Sequence, residues 1–303
     1  MNRKGISNLM KQLCILLFIL LLPLAAIAED STFVGWKKSL VVDLTTTQTG
    51  YSDSWVGGEA GSFNWVSNLN GTAEKFLSPT FNYRSALKVS FGQTVTQDKE
   101  TKDWGDFEKS TDLIDWENVG KIKKGWAVDP YLAFRLETQF FDGRVDTMKQ
   151  YFSPLKLTES IGVSKEFYKK DKELIMSRLG VAFRQTYKSV ISMVDTSNYT
   201  VIDSTITDDG LELVTDAALK LSENIMYTGK LTLFKAFFSS EKDAVGGNDY
   251  WKAVDVNFEN IFAAKISKVI TVIMYTQLLY DKEITKKGRF KEAIAVGFVF
   301  NMI

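Results

Sequence analysis

Histidine is absent from this chain, and cysteine occurs once, at Cys14. Any site that needs imidazole is excluded. Beyond Cys14 no disulfide framework and no thiolate chemistry is available. Proline is scarce, with four residues in 303. Charge of one sign is lacking too: lysines and arginines equal aspartates and glutamates, so there is no broad basic surface for nucleic acid. After the first 28 residues no stretch is apolar enough for a spanning helix. Aromatic residues are plentiful, which fits a strand-rich chain and not a disordered one.

The start of the chain is set apart. Arg3, Lys4 and Lys11 precede the apolar run Leu13 to Leu22, and Ala26-Ile27-Ala28 offers a small-residue cleavage site. Residues 1–28 are expected to be a secretory signal peptide. The alternative, a membrane anchor, meets a run that is short for a span. Cys14 stands near the start of that run, outside the small-residue setting of a lipoprotein cysteine, so no lipidation is expected. Residues 29–303 would form one domain.

The last strand shows the pattern of the chain most clearly. Phe290, Ile294, Val296, Phe298, Phe300 and Met302 alternate with Ala293, Ala295, Gly297, Val299 and Asn301. Strict alternation marks a strand with two environments, here one bulky and oily, the other small or weakly polar. A transmembrane barrel has this pattern, and so does a terminal strand of a soluble β-protein. The stretch also resembles the C-terminal strand recognised by the outer-membrane insertion machinery, although the chain ends on Ile303 and its aromatic rank lies at Phe298 and Phe300.

The other strands decide between the two. Similar alternation is read at Trp36–Thr46, Ser62–Thr72, Tyr83–Val95, Trp126–Phe140, Leu157–Tyr168, Leu174–Tyr187, Gly210–Leu221, Ile225–Phe238, Tyr250–Phe262 and Ile266–Tyr280, and weakly at Ile114–Lys121. Asn70-Gly71 could instead be a tight hairpin turn. Connections alternate long and short, with Thr47–Gly61, Thr96–Thr111, Asp142–Pro154, Lys188–Asp209 and Ser239–Asp249 as the long ones, Lys188–Asp209 the longest, and only the final long one, Asp281–Thr285, reduced. Short periplasmic turns and long outer loops show this asymmetry, and strands of about ten to fifteen residues suit a tilted crossing. The expectation is an all-β fold, a closed antiparallel up-and-down transmembrane β-barrel of about twelve strands, with both chain ends periplasmic. It would be exported by a cleavable signal peptide to the cell outer membrane. Trp36, Trp65, Trp126, Tyr131, Trp251 and Tyr280 fall near strand ends, where an interfacial aromatic girdle belongs.

The inward faces would carry Lys37, Arg84, Lys88, Arg135, Arg178, Arg184, Lys220 and Lys230 with Asp43, Glu137, Glu166, Asp216, Asp255 and Glu259. Charges inside a narrow barrel must pair or stay wet. Either a salt-bridged interior without traffic or a small channel fits. Barrel lipases, palmitoyl transferases and barrel proteases use histidine. A Ser–Lys or paired-carboxylate site remains compatible with the composition, but no spacing points to one; no enzyme, cofactor or metal is expected. Asp203, Asp208 and Asp209 could hold calcium or lie in a solvated loop. Asn198-Tyr199-Thr200 matches a short and common glycosylation pattern. Expected partners are outer-membrane lipid, the barrel-insertion machinery through the last strand, and small solutes, with no nucleic acid.

The stretch Asp112 to Phe140, with Gly120, Trp126 and Thr138-Gln139-Phe140, resembles a family of uncharacterised outer-membrane β-barrel proteins of unknown function found mainly in Bacteroidota. The resemblance continues in Ser153-Pro154-Leu155, Ile161-Gly162-Val163 and Leu179-Gly180-Val181. It covers about the central third of the chain. It implies an outer-membrane barrel and lends no catalytic residue. A narrow pore or a structural membrane protein is the expected function; the alternative is a soluble periplasmic β-sheet binding protein.

Overall fold

The computed structural model describes residues 35–51, 60–143, 149–170, 173–193, 199–242 and 249–301. The expected signal peptide lies outside them, as do Asn198 of the glycosylation pattern and Met302. Long alternating segments become long strands: β1 (Lys37–Thr49), β2 (Ser62–Ser78), β3 (Phe81–Thr96), β4 (Glu108–Ile122), β5 (Asp129–Thr138) and β6 (Leu155–Lys170). The second half adds β7 (Glu173–Met193), β8 (Tyr199–Lys220), β9 (Ile225–Ser239), β10 (Val254–Lys265), β11 (Ile270–Tyr280) and β12 (Arg289–Asn301). Each strand pairs antiparallel with its neighbours in sequence. β1 pairs with β12, Val41 opposite Asn301 and Thr46 opposite Val296, so the sheet closes on itself. The fold is a closed twelve-stranded antiparallel barrel.

The period of two sorts side chains between wall and lumen. Leu132, Ile161, Val181 and Leu211 stand opposite one another on four successive strands and are 63%, 64%, 53% and 41% exposed. Phe290, Ile294, Val296, Phe298 and Phe300 of β12 continue this outer apolar face. The inward neighbours are small or polar: Ala133, Ser160 and Ala182 are buried. Because twelve is even, the start of β1 and the end of β12 share the rim that carries the short turns.

Several boundaries differ from the sequence expectation. β2 runs through Gly71, which pairs with Leu40 and with Leu87; no hairpin forms at Asn70-Gly71, and the chain turns at Pro79-Thr80 instead. β4 is a full strand of 15 residues. β5 is shorter than expected, leaving Trp126 in a turn and Phe140 beyond its end. The longest expected loop, Lys188–Asp209, is mostly strand: Ser189 pairs with Asp203 and Ile191 with Val201, in the same register as the wall below. Its Thr, Val and Ile residues favour extended backbone. Asp203, Asp208 and Asp209 therefore sit on β8, not in a loop.

The aromatic girdle is also smaller than expected. Trp65 meets Phe91, and Phe91 meets Phe140 and Phe141, along the long-loop rim; Trp36 meets Tyr83 at the opposite rim. Tyr131 and Trp251 point elsewhere. Trp251 packs on the buried cluster Ala182, Phe234 and Ala236. Tyr131 is buried in the lumen with Val119 and Ala133. Its seat is made by Gly162 and Gly180, which face each other across β6 and β7. A Cβ on Gly180 would lie 2.6 Å from the Tyr131 hydroxyl, and one on Gly162 would meet the Leu179 carbonyl and the Gly180 backbone. Gly180 thus leaves the phenol its room, and Gly162 lets the two strands approach closely beneath it.

Gly180→Val should therefore lower barrel stability by about 1–3 kcal/mol through overpacking. The check is the temperature at which the folded, fast-migrating band disappears in detergent gels; an unchanged midpoint would refute the seat.

Candidate functional site

The inward face of β4 sets the pattern of the lumen. Ile114 and Trp116 turn outward, which leaves Asp115 and Glu117 inside, where a carboxylate needs a counter-charge. Both find one. Arg135 on β5 grips Asp115 in a fork, its Nε and Nη2 each donating at 2.8 Å. The same guanidinium lies 3.1 Å from Glu137, which Lys156 on β6 approaches at 3.4 Å. Glu117 accepts from Arg178 of β7 at 2.6 Å and from Lys230 of β9 at 3.4 Å. Asp216 lies 3.9 Å from Arg178.

Several contacts join strands that are not neighbours and so cross the lumen instead of following the wall. Lys88 of β3 donates to Glu259 of β10 at 2.8 Å, although four strands separate them along the shorter arc. Lys230 reaches Glu117 past β5 to β8. Arg184 of β7 donates to Asp255 of β10 at 2.8 Å and lies 3.6 Å over the Phe234 ring. A belt of ion pairs thus spans the barrel at mid-height, with the Arg184–Asp255 pair lying above it toward the long-loop mouth.

A chamber lies on each side of this belt. The larger, 640 Å³, opens on the long-loop half between β1–β5 and β10–β12. The smaller, 280 Å³, lies on the short-turn half and is lined by Arg84, Glu117, Asp216 and Lys230 among others. Asn70, Lys88, Asp115, Glu259 and Ile261 line both, so the Lys88–Glu259 pair stands where the two meet.

The walls of the larger chamber mix uncharged hydrogen-bonding side chains with charged and aliphatic ones. Ser90 donates to the Asn68 carbonyl at 2.6 Å, and the Asn68 amide donates to Asp43 at 2.7 Å. Across the chamber Gln277 donates to Asn257 at 3.0 Å. Tyr275 faces inward with the Lys291 ammonium 6.0 Å from its ring centre. Taken with the cations that pair its lining, Lys88, Lys109, Arg135, Lys156 and Lys291 stand against Asp43, Asp112, Asp115, Glu137 and Glu259. The lining itself holds three cations and five acids, and Lys109 and Lys156 behind it make up the difference.

Of the fourteen lumen residues expected from sequence, twelve face this interior and its two mouths. Glu166 sits at the short-turn end, 2.5 Å from Lys123. Lys37 and Lys220 have the inward parity but lie exposed at the short-turn rim. They terminate their strands, so nothing encloses them. Missed were Asp115 and Glu117, which centre the network, with Lys156 and Gln277; Asn68 and Asn257 have the inward parity of their strands but stand outside a set confined to charges. The alternation Ile114-Asp115-Trp116-Glu117 carried the signal for the first two.

The long-loop mouth is acidic. Glu283, in the β11–β12 connection, is exposed as a residue, but its carboxyl lies partly inside the rim. That partial burial first, then Asp208, Asp281, Asp255 and Glu241 around it, push its pKa up to about 7. An acid raised in the folded state stabilises the fold fully below its ordinary pKa, and that contribution is lost as pH rises through the folded value.

Arg135→Met should destabilise the barrel by about 3 kcal/mol, because Asp115 and Glu137 lose their shared cation; the detergent-gel midpoint reads this, and a neutral result would show both carboxylates to be solvated. Proteolysis of the 281–288 connection should accelerate between about pH 5 and pH 8 and become flat in Glu283→Gln. Equal slopes in the two proteins would remove Glu283 as the titrating group.

The profile of a family described as "Protein of unknown function (DUF3078)" matches residues 46–143. That span contains Asp112 to Phe140 and ends before Ser153. No curated protein matches. Among solved structures, the chain is similar to an outer membrane channel from Pseudomonas putida F1, with 10% identity over 91% of this chain and 100% of that one and a TM-score of 0.44. It is also similar to the translocator domain of the autotransporter NalP from Neisseria meningitidis, with 8% identity over 98% of both chains and a TM-score of 0.35.

Proposed function

We propose that this chain is an outer-membrane β-barrel acting as a narrow conduit for small solutes, with its lumen constricted by the Lys88–Glu259 pair. The observation that carries the reading is the pair of chambers, one on each side of the ion-pair belt, meeting at a wall-to-wall ion pair. A channel needs favourable but weak contacts along its length, and alternating charges in a wet lumen supply them.

Membrane residence rests on the outer face. Rows of exposed Leu, Ile, Val and Phe run from strand to strand around the wall, and a soluble periplasmic binding protein does not leave a patch of that extent in water. Aromatic contacts at both rims fit the two interfaces of a bilayer. On this reading residues 1–28 direct export, the short-turn rim with both barrel ends is periplasmic, the last strand addresses the insertion machinery, and the source belongs to the Bacteroidota. The conduit is not an enzyme. The ion-pair belt also favours a second reading, a closed structural barrel, and conductance separates the two.

In a planar bilayer the folded protein should give discrete conductance steps. Replacing both members of the constriction, Lys88→Met with Glu259→Met, should enlarge the steps without changing net charge. Silence from inserted protein in both forms would overturn the conduit and leave the structural barrel.

A further inference from the structure

The larger chamber has a chemistry that narrows what it accepts. Its 640 Å³ lies within the range of small-molecule sites, about 300–1,000 Å³. Charged groups in it and their partners balance, and the main ones already bond to each other: Lys88 with Glu259, and Arg135 with Asp115. A cationic solute would have to compete for acids that are already bonded, and an anionic one would meet five lining acids against three lining cations, so leaving water is costly for either. A neutral solute has no such penalty, provided its polar groups are matched.

The walls match hydroxyls. A primary amide offers two N–H donors and a carbonyl acceptor. Gln277 and Asn257 use one donor and one acceptor on each other, which leaves the second Gln277 donor and the Asn257 amide hydrogens for a ligand. Asn68 and Ser90 on the facing wall are held in one chain of bonds and add further acceptors and donors. A hydroxyl both donates and accepts, so adjacent hydroxyls on one carbon skeleton fit mixed amide walls better than any group of single polarity. Tyr275 adds an aromatic ring for the C–H face of such a skeleton.

We propose that this chamber is a binding site for a small uncharged polyhydroxyl solute, of mono- or disaccharide size. The proposal rests on the conduit reading for its physiological sense, but the site itself is testable apart from transport.

The test is equilibrium dialysis of the full folded chain in detergent against labelled glucose, sucrose and maltose, with glutamate, lysine and glycine betaine as charged and zwitterionic comparisons. Saturable, millimolar binding of at least one sugar is expected, stronger than for any of the three comparisons. Gln277→Leu and, separately, Tyr275→Ala should each weaken it by at least about tenfold while heat-modifiable migration shows both variants folded. No saturable sugar binding, tighter binding of a charged or zwitterionic probe, or sugar binding untouched in folded variants would overturn the proposal. Sugar binding with a silent bilayer would instead overturn the conduit and keep the site, whereas conductance without sugar binding would do the reverse.

Discussion

A peptide group that faces hydrocarbon has no water to bond, and an unpaired one costs several kcal/mol. The whole architecture comes from meeting that demand with strands. Twelve of them, each paired on both sides, leave a last pair of edges, and β1 against β12 removes it. Everything else is conditional on that closure. Without it the outer rows of Leu132, Ile161 and Val181 would have no continuous wall to sit on. The carboxylates of β4 would have no enclosed space in which to meet the arginines of β5 and β7.

Closure in turn creates the electrostatic problem of the lumen. Once one face of each strand is turned to an apolar surround, the other must hold all the polar groups of the wall within a confined cross-section. The protein resolves this by distributing opposite charges over strands that face one another, so that Glu117 meets Arg178 and Lys230 and Glu259 meets Lys88. The pairs gather near mid-height. Amides and hydroxyls occupy the wider long-loop half, and acids gather at its mouth. Order along the axis therefore comes from which inward positions are charged and which are only polar.

The fold was legible because a period of two is read directly from residue order. Phe290 to Phe300 announced its outward rank without any knowledge of neighbours. What failed was whatever depends on partners. The segment from Lys188 to Asp209 looked like a loop because it has no apolar face. Above the wall no such face is needed, and register with its own hairpin partner keeps it extended. Tyr131 looked like a girdle residue because it stands near a strand start, yet the glycines that admit it to the lumen lie on β6 and β7. Asp115 and Glu117 were passed over because Asn118 and Gly120 weaken the outward rank of β4. Parity identified most inward charges; which of them bond across the barrel is a property of closure and stagger, and no local pattern encodes it.

The bond between Lys88 and Glu259 also has a mechanical meaning. A barrel wall is a thin shell, and its softest deformation is flattening into an oval. A tie that joins opposite walls resists widening along its own direction, and the Arg184–Asp255 and Lys230–Glu117 pairs brace the shell along other chords. The cross-section of the barrel is thus held from within, and a change in lateral pressure from the surrounding bilayer would be felt first as tension on those few ion pairs.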